Sequence, residues 1–180
     1  MINRQTRFWT VVLNMLILTQ TMGVAMTNQI KFDDKTYLLS NPDSKSKDYT
    51  YLLKNENIGN WHTKVTMTNI PDKTNKTEAA AEFAHKIQAE NPGASVLVYP
   101  EAATIGYLTF PKSKEYYEYN TVVFQKAKNG LDKIGFAKRF YSSELNGQEN
   151  ARKSAIEFAE KNNKKYMEIL NKTAPKLKVE

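Results

Sequence analysis

Two histidines, no cysteines and a run of tyrosines are the residues from which chemistry in this 180-residue chain would have to be built. His62 follows Trp61 on the polar side of an alternating stretch, where a nearby carboxylate would make it a general base; without a serine or aspartate motif beside it, a solvated imidazole is the simpler reading. His85 stands mid-helix near Glu78 and Glu82, but the zinc-protease order, two histidines four apart with a glutamate between, is absent. Glu101, Glu115 and Glu118 are candidates for the paired carboxylates of glycoside hydrolysis. Tyr49, Tyr51, Tyr107, Tyr116, Tyr117, Tyr119 and Tyr141 offer large contact area with few rotors, which suits protein or sugar binding. The binding residues expected are Tyr116, Tyr117, Tyr119, Tyr141 and Trp61, with no catalytic residue and no metal ligand assigned.

Composition narrows the classes further. The absence of cysteine excludes disulfides, thiolate metal sites and a cysteine nucleophile. No glycine-rich strand-to-helix turn cradles a phosphate, and no cofactor is implied. The formal charge of +7 falls to +5 if Arg4 and Arg7 leave with a leader. The cations are then almost all lysines, with Arg139 and Arg152 the remaining arginines. Bidentate phosphate and guanine recognition favours arginine, which argues against nucleic acid as the partner.

The first 25 residues read as an address. Arg4 and Arg7 precede an apolar run from Phe8 to Leu18, and Gly23-Val24-Ala25 supplies the small residues a signal peptidase accepts. The run is too short to span a bilayer, which takes roughly 20 residues. The expectation is a signal peptide over 1–25, a single domain over 26–175 and a frayed tail over 176–180. Export to the periplasm or beyond, in a bacterium, follows from that reading, with an uncleaved membrane anchor as its alternative.

The elements that must position these residues follow from periodicity. Ile30 and Phe32, Tyr37 to Leu39, and Tyr49 to Leu53 are short strands, and Asn41 to Asp48 is loop chemistry. Trp61, Thr63, Val65 and Met67 alternate with polar residues, giving a strand with one wet face. Asn75 and Glu78 form a capping box for a helix whose Ala80, Phe83, Ala84 and Ile87 make one stripe. Ser95 to Tyr99 is continuously apolar, as a central strand would be, and Thr104 to Phe110 is the next strand. Asn129-Gly130 between two long runs predicts a two-residue hairpin that sets Val123 opposite Phe136, Gln125 opposite Ile134, and Phe124 over Gly135. A long helix from about Gln148 to Lys172, with Asn146 and Glu149 as its capping box, ends the chain before Pro175. Short connections and two amphipathic helices define an α+β fold, a mostly antiparallel sheet packed by two helices, with an α/β/α sandwich as one arrangement of the layers.

The stretch from Tyr51 through Glu56 to Asn60-Trp61, with Val65-Thr66-Met67, Glu118-Tyr119-Asn120 and Ala137 to Tyr141, resembles small exported bacterial proteins of unassigned role. The element order also resembles the PsbP-like fold. Neither resemblance implies catalytic residues, and fold alone does not give function. The reading is an exported, non-enzymatic protein that binds a protein or envelope partner through a sheet edge or a tyrosine patch. A secreted hydrolase using carboxylates or His62, and a membrane-anchored envelope component, remain as alternatives.

Overall fold

The computed structural model describes residues 28–43 and 47–177; the predicted leader and the last three residues of the tail lie outside it. Eight strands and two helices follow in the order β1 (Gln29–Phe32), β2 (Lys35–Asp43), β3 (Asp48–Leu52), β4 (Thr63–Ile70), α1 (Lys76–Glu90), β5 (Ser95–Tyr99), β6 (Thr104–Thr109), β7 (Tyr116–Lys126), β8 (Leu131–Tyr141) and α2 (Gln148–Thr173), closed by a 3₁₀ turn at Ala174–Lys176. The strands form one antiparallel sheet in the order β1-β2-β3-β4-β8-β7-β6-β5. The fold is α+β.

Alternation places the core. In β4, Thr63, Val65, Met67 and Asn69 are buried while the residues between them are half-buried. In β7, Tyr119 and Val123 join a cluster with Phe32, Phe136 and the α2 residues Tyr166 and Leu170. The intervening Val122 and Phe124 join Ile105, Leu131 and the α1 alanines Ala79, Ala80 and Ala84. Successive side chains of a strand point to opposite sides, and β7 contributes to both clusters. Asn75 caps α1 as its type predicts, accepting hydrogen bonds from the backbone N–H of Thr77 at 3.1 Å and of Glu78 at 3.2 Å.

Four expectations need correction. The β7–β8 loop is four residues, Ala127 to Gly130, because Lys126 pairs with Leu131. A two-residue type I′ turn needs positive φ at both central residues, and of the pair only Gly130 has it, at +78°. Val123 therefore faces Ile134, Gln125 faces Asp132 and Phe124 faces Lys133. The slip is two residues, so every side chain keeps its face. Gly135 lies under Val122 and Thr66: a Cβ there would sit 2.9 Å from the Thr66 hydroxyl. The two-residue turn occurs instead at Asp33-Asp34, with φ of +47° and +59°, between the paired Phe32 and Lys35.

The second correction is at the start of α2. Gly147 occupies the cap position and Asn146, at φ +58°, makes no side-chain cap. Third, residues Asn41 to Asp43 belong to β2, leaving 44–46 outside the described residues. Fourth, β5 is the terminal strand of the sheet rather than a central one.

Candidate functional site

Two constellations stand out, one that holds Trp61, Tyr116 and Tyr141 of the residues expected from the sequence and one that sequence reasoning missed. The first lies at the start of β4. Trp61 is buried, and the guanidinium of Arg139 lies 3.9 Å from its ring centroid and 3.9 Å from that of Tyr116. Glu118 accepts from Arg139 Nε at 2.9 Å, with both side chains largely buried. Tyr141 donates its hydroxyl to the Trp61 carbonyl at 3.0 Å. Lys64 lies 4.1 Å over the Trp61 ring, and burial pushes its ammonium below the ordinary value, with Glu118 acting the other way. Alternation along β7 divides the tyrosines. Tyr116 stays with Trp61 and Tyr141, whereas Tyr117 packs with Phe110 and Ala151, and Tyr119 lies in the large core cluster, donating to Asn163 Oδ1 at 3.0 Å. Burial pushes the Tyr119 phenol well up.

His62 sits at the exposed rim of this cluster, between two carboxylates that no local motif announced. Its Nδ1 is 3.2 Å from Glu56 Oε1, and its Nε2 is 3.0 Å from Glu144 Oε1. Its backbone N–H also donates to Glu56 Oε1 at 2.8 Å. A neutral imidazole has one N–H, so both contacts are hydrogen bonds in the imidazolium form. The clamp ties the connector before β4 to the loop after β8. Glu101 stands elsewhere, before Thr104 at one end of β6, while Glu118 pairs with Thr109 at the other end. His85 is exposed on α1. Among the described residues, no group of three histidine, aspartate or glutamate side chains is placed to hold a metal ion.

The second constellation is β5 and the cleft beside it. Leu97, Val98 and Tyr99 are exposed by 49%, 38% and 41%, and Tyr99 is an exposed tyrosine absent from the expected set. A cleft of about 530 Å³ opens between β5, β6 and α2, walled by Leu97, Tyr99, Leu108, Phe110 and Ile156. Gly106 lines it too, where the missing Cβ lets Asn163 lie against the backbone: a Cβ there would clash with Asn163 Oδ1. A second cleft of about 390 Å³ continues along α2, sharing Tyr99 and Lys164. Apolar walls with a few convergent polar groups are the common form of a binding site. The signal in the sequence was present: only Glu101 is charged between Ala94 and Phe110, in a chain that is 25% charged.

These features are an exposed apolar edge and its cleft, and a buried aromatic-cation cluster, on an α+β scaffold. A family model matches residues 24–174, and the chain belongs to that family, an uncharacterised bacterial one. No curated protein and no solved structure matches the chain, and the PsbP-like resemblance expected from element order finds no support in these comparisons. No helix among the described residues is long and apolar enough to cross a membrane.

Proposed function

We propose that this chain is an exported, non-enzymatic protein that takes up an extended segment of a protein partner along β5. The observation that carries the reading is a sheet edge with no charge in its five residues and three large apolar side chains in solvent. Edge strands ordinarily carry charge, proline or a bulge that discourages pairing. An edge left bare beside an apolar cleft suits strand addition, in which backbone hydrogen bonds supply affinity and the cleft takes alternate side chains. The helices are read as lying on the two faces of the sheet, α/β/α, a reading supported by the way β7 divides its side chains between them. Export rests on the leader pattern of residues 1–25.

The test is a displayed library of extended peptides, with each binder assayed for protection of the amides of residues 95–99 from hydrogen exchange. Protection of β5 is the expected result. Binders that protect other strands and leave β5 unchanged overturn the reading. Mass spectrometry of the exported protein should find an N-terminus near Met26, and carbonate extraction should release it from membranes; a full-length chain resisting extraction favours the anchored alternative.

A second reading, a secreted hydrolase, draws on the carboxylate pair around His62. His62→Ala and Glu144→Gln, assayed against a panel of ester, peptide and glycoside substrates, decide it: unchanged background hydrolysis in both variants removes the reading.

A further inference from the structure

The cleft beside β5 has cations at its two ends and an anion between them. Arg152, Ile156, Glu160 and Lys164 all line it from α2. Spaced by four, they form one row on the helix. Ser95, Leu97 and Tyr99 line the same cleft from the sheet side. Twelve residues of helix carry the row from Arg152 to Lys164 over about 18 Å. A strand of about six residues covers the same distance, and β5 itself spans about 17 Å. A strand added to β5 therefore passes Arg152 near one end and Lys164 near the other, with Leu97, the central residue of β5, beside its middle and Leu108, the partner of Ser95, toward one end. Arg152 has one distant carboxylate, Glu149 at 3.8 Å, and the side chains of both are exposed, so the guanidinium can turn to an incoming acid.

Resting on the strand-addition reading, we propose that the segment bound at β5 is a peptide with apolar side chains at alternate positions and an acidic residue at each end of a stretch of about six residues, the two acids meeting Arg152 and Lys164. Glu160, two helical turns from Arg152 and one from Lys164, repels an acid placed inside the Lys164 end, and Ile156 is apolar, so the row favours acids at its ends over acids between them. Elsewhere the edge is neutral, so the rim of α2 is where charge selects the ligand.

The probe is a fluorescein-labelled synthetic peptide of about eight residues, valine and leucine alternating with threonine, made with glutamate, glutamine or lysine at the two flanking positions. Fluorescence anisotropy at low salt should rank glutamate tightest and lysine weakest, with a spread of about fivefold to tenfold, the size expected of two exposed ion pairs. The spread should shrink as salt is raised. In the double variant Arg152→Glu and Lys164→Glu the order should invert, with the lysine-ended peptide tightest. Both replaced side chains are exposed on α2, and an unchanged urea midpoint confirms that the variant folds. The variants Arg152→Gln and Lys164→Gln, in which the spread should collapse, serve the same test if the double reversal unfolds the protein. If all three peptides bind equally and Val98→Lys abolishes binding, the acidic pattern is wrong and strand addition stands. If no peptide binds and the protein forms a dimer that Val98→Lys dissociates, the occupant is a second copy and the peptide reading falls with the inference.

Discussion

β1 and β5 end the same sheet, and α2 serves them differently. At β1 the helix closes over the strand: Ile30 and Phe32 are 4% and 1% exposed. Phe32 stacks on Phe136 at 4.9 Å and on Tyr166 at 6.3 Å. The turn that follows is held from the same helix, Tyr166 donating to Asp33 Oδ2 at 2.9 Å and Lys165 pairing with Asp33 Oδ1 at 3.0 Å. At β5 the helix stands off and leaves a cleft. Yet β5, Ser-Val-Leu-Val-Tyr, is the more apolar of the two, and β1, Gln-Ile-Lys-Phe, includes a lysine. Apolar content therefore does not report burial here. What decides it is whether a neighbouring element reaches the strand, and apolar side chains left unreached are surface available for a partner.

The comparison breaks most readily at Phe32. Removing a fully buried ring from a stack costs about 3–5 kcal/mol, lost transfer and residual cavity together. Phe32→Ala should lower the urea midpoint steeply, and a loss below about 1.5 kcal/mol would mean that β1 is not locked. Tyr166→Phe keeps the stacking and deletes one hydrogen bond to a carboxylate, for a loss of about 1.5 kcal/mol. A neutral result there would shift the hold on the turn to Lys165.

Asp33 gives the comparison a pH dependence. Burial alone would raise its carboxyl, but the hydrogen bonds from Lys165 and Tyr166 and the charge of Lys165 outweigh it, holding the carboxyl below its ordinary 3.8. A depressed folded value means that ionised Asp33 contributes stability above 3.8, and that this contribution fades as pH falls through the folded value. Asp33→Asn keeps a residue type that tolerates positive φ and removes the titration. Urea midpoints of the two proteins should differ at neutral pH and converge in acid. A difference that persists at low pH would assign the effect to the turn backbone instead of the charge.

How far these features were legible varies with their range. The β4 alternation and the Asn75 cap are local: the first needs one buried face, the second one side-chain oxygen and two backbone N–H groups. The β7–β8 hairpin was legible but not its register, since Asn129-Gly130 suits the end of a four-residue loop as well as the centre of a two-residue one. The Asp33-Asp34 turn lacks the glycine that advertises positive φ, and the residues that hold it lie on α2, 133 positions from Asp33 in the case of Tyr166. His62 and Glu144 are 82 positions apart, so their contact had no local signature. The split of the tyrosines could have been read, because Tyr116 and Tyr117 are adjacent in a strand and must face opposite ways. Strand order, which makes β5 an edge, is a tertiary property that periodicity does not encode.

The smallest expected effect on stability is the most informative about β5. Leu97 is half in solvent, so Leu97→Ser removes little buried area and should leave the urea midpoint within about 0.5 kcal/mol of the parent, as surface substitutions usually do. A leucine that the fold hardly needs, on a strand that charge would protect from pairing, is what the proposed uptake of a partner strand calls for. The same substitution should weaken uptake of an alternating apolar peptide, because the side chain lines the cleft that such a peptide fills. A loss above about 1.5 kcal/mol in the free protein would instead place Leu97 in the core and make β5 an edge of the same kind as β1.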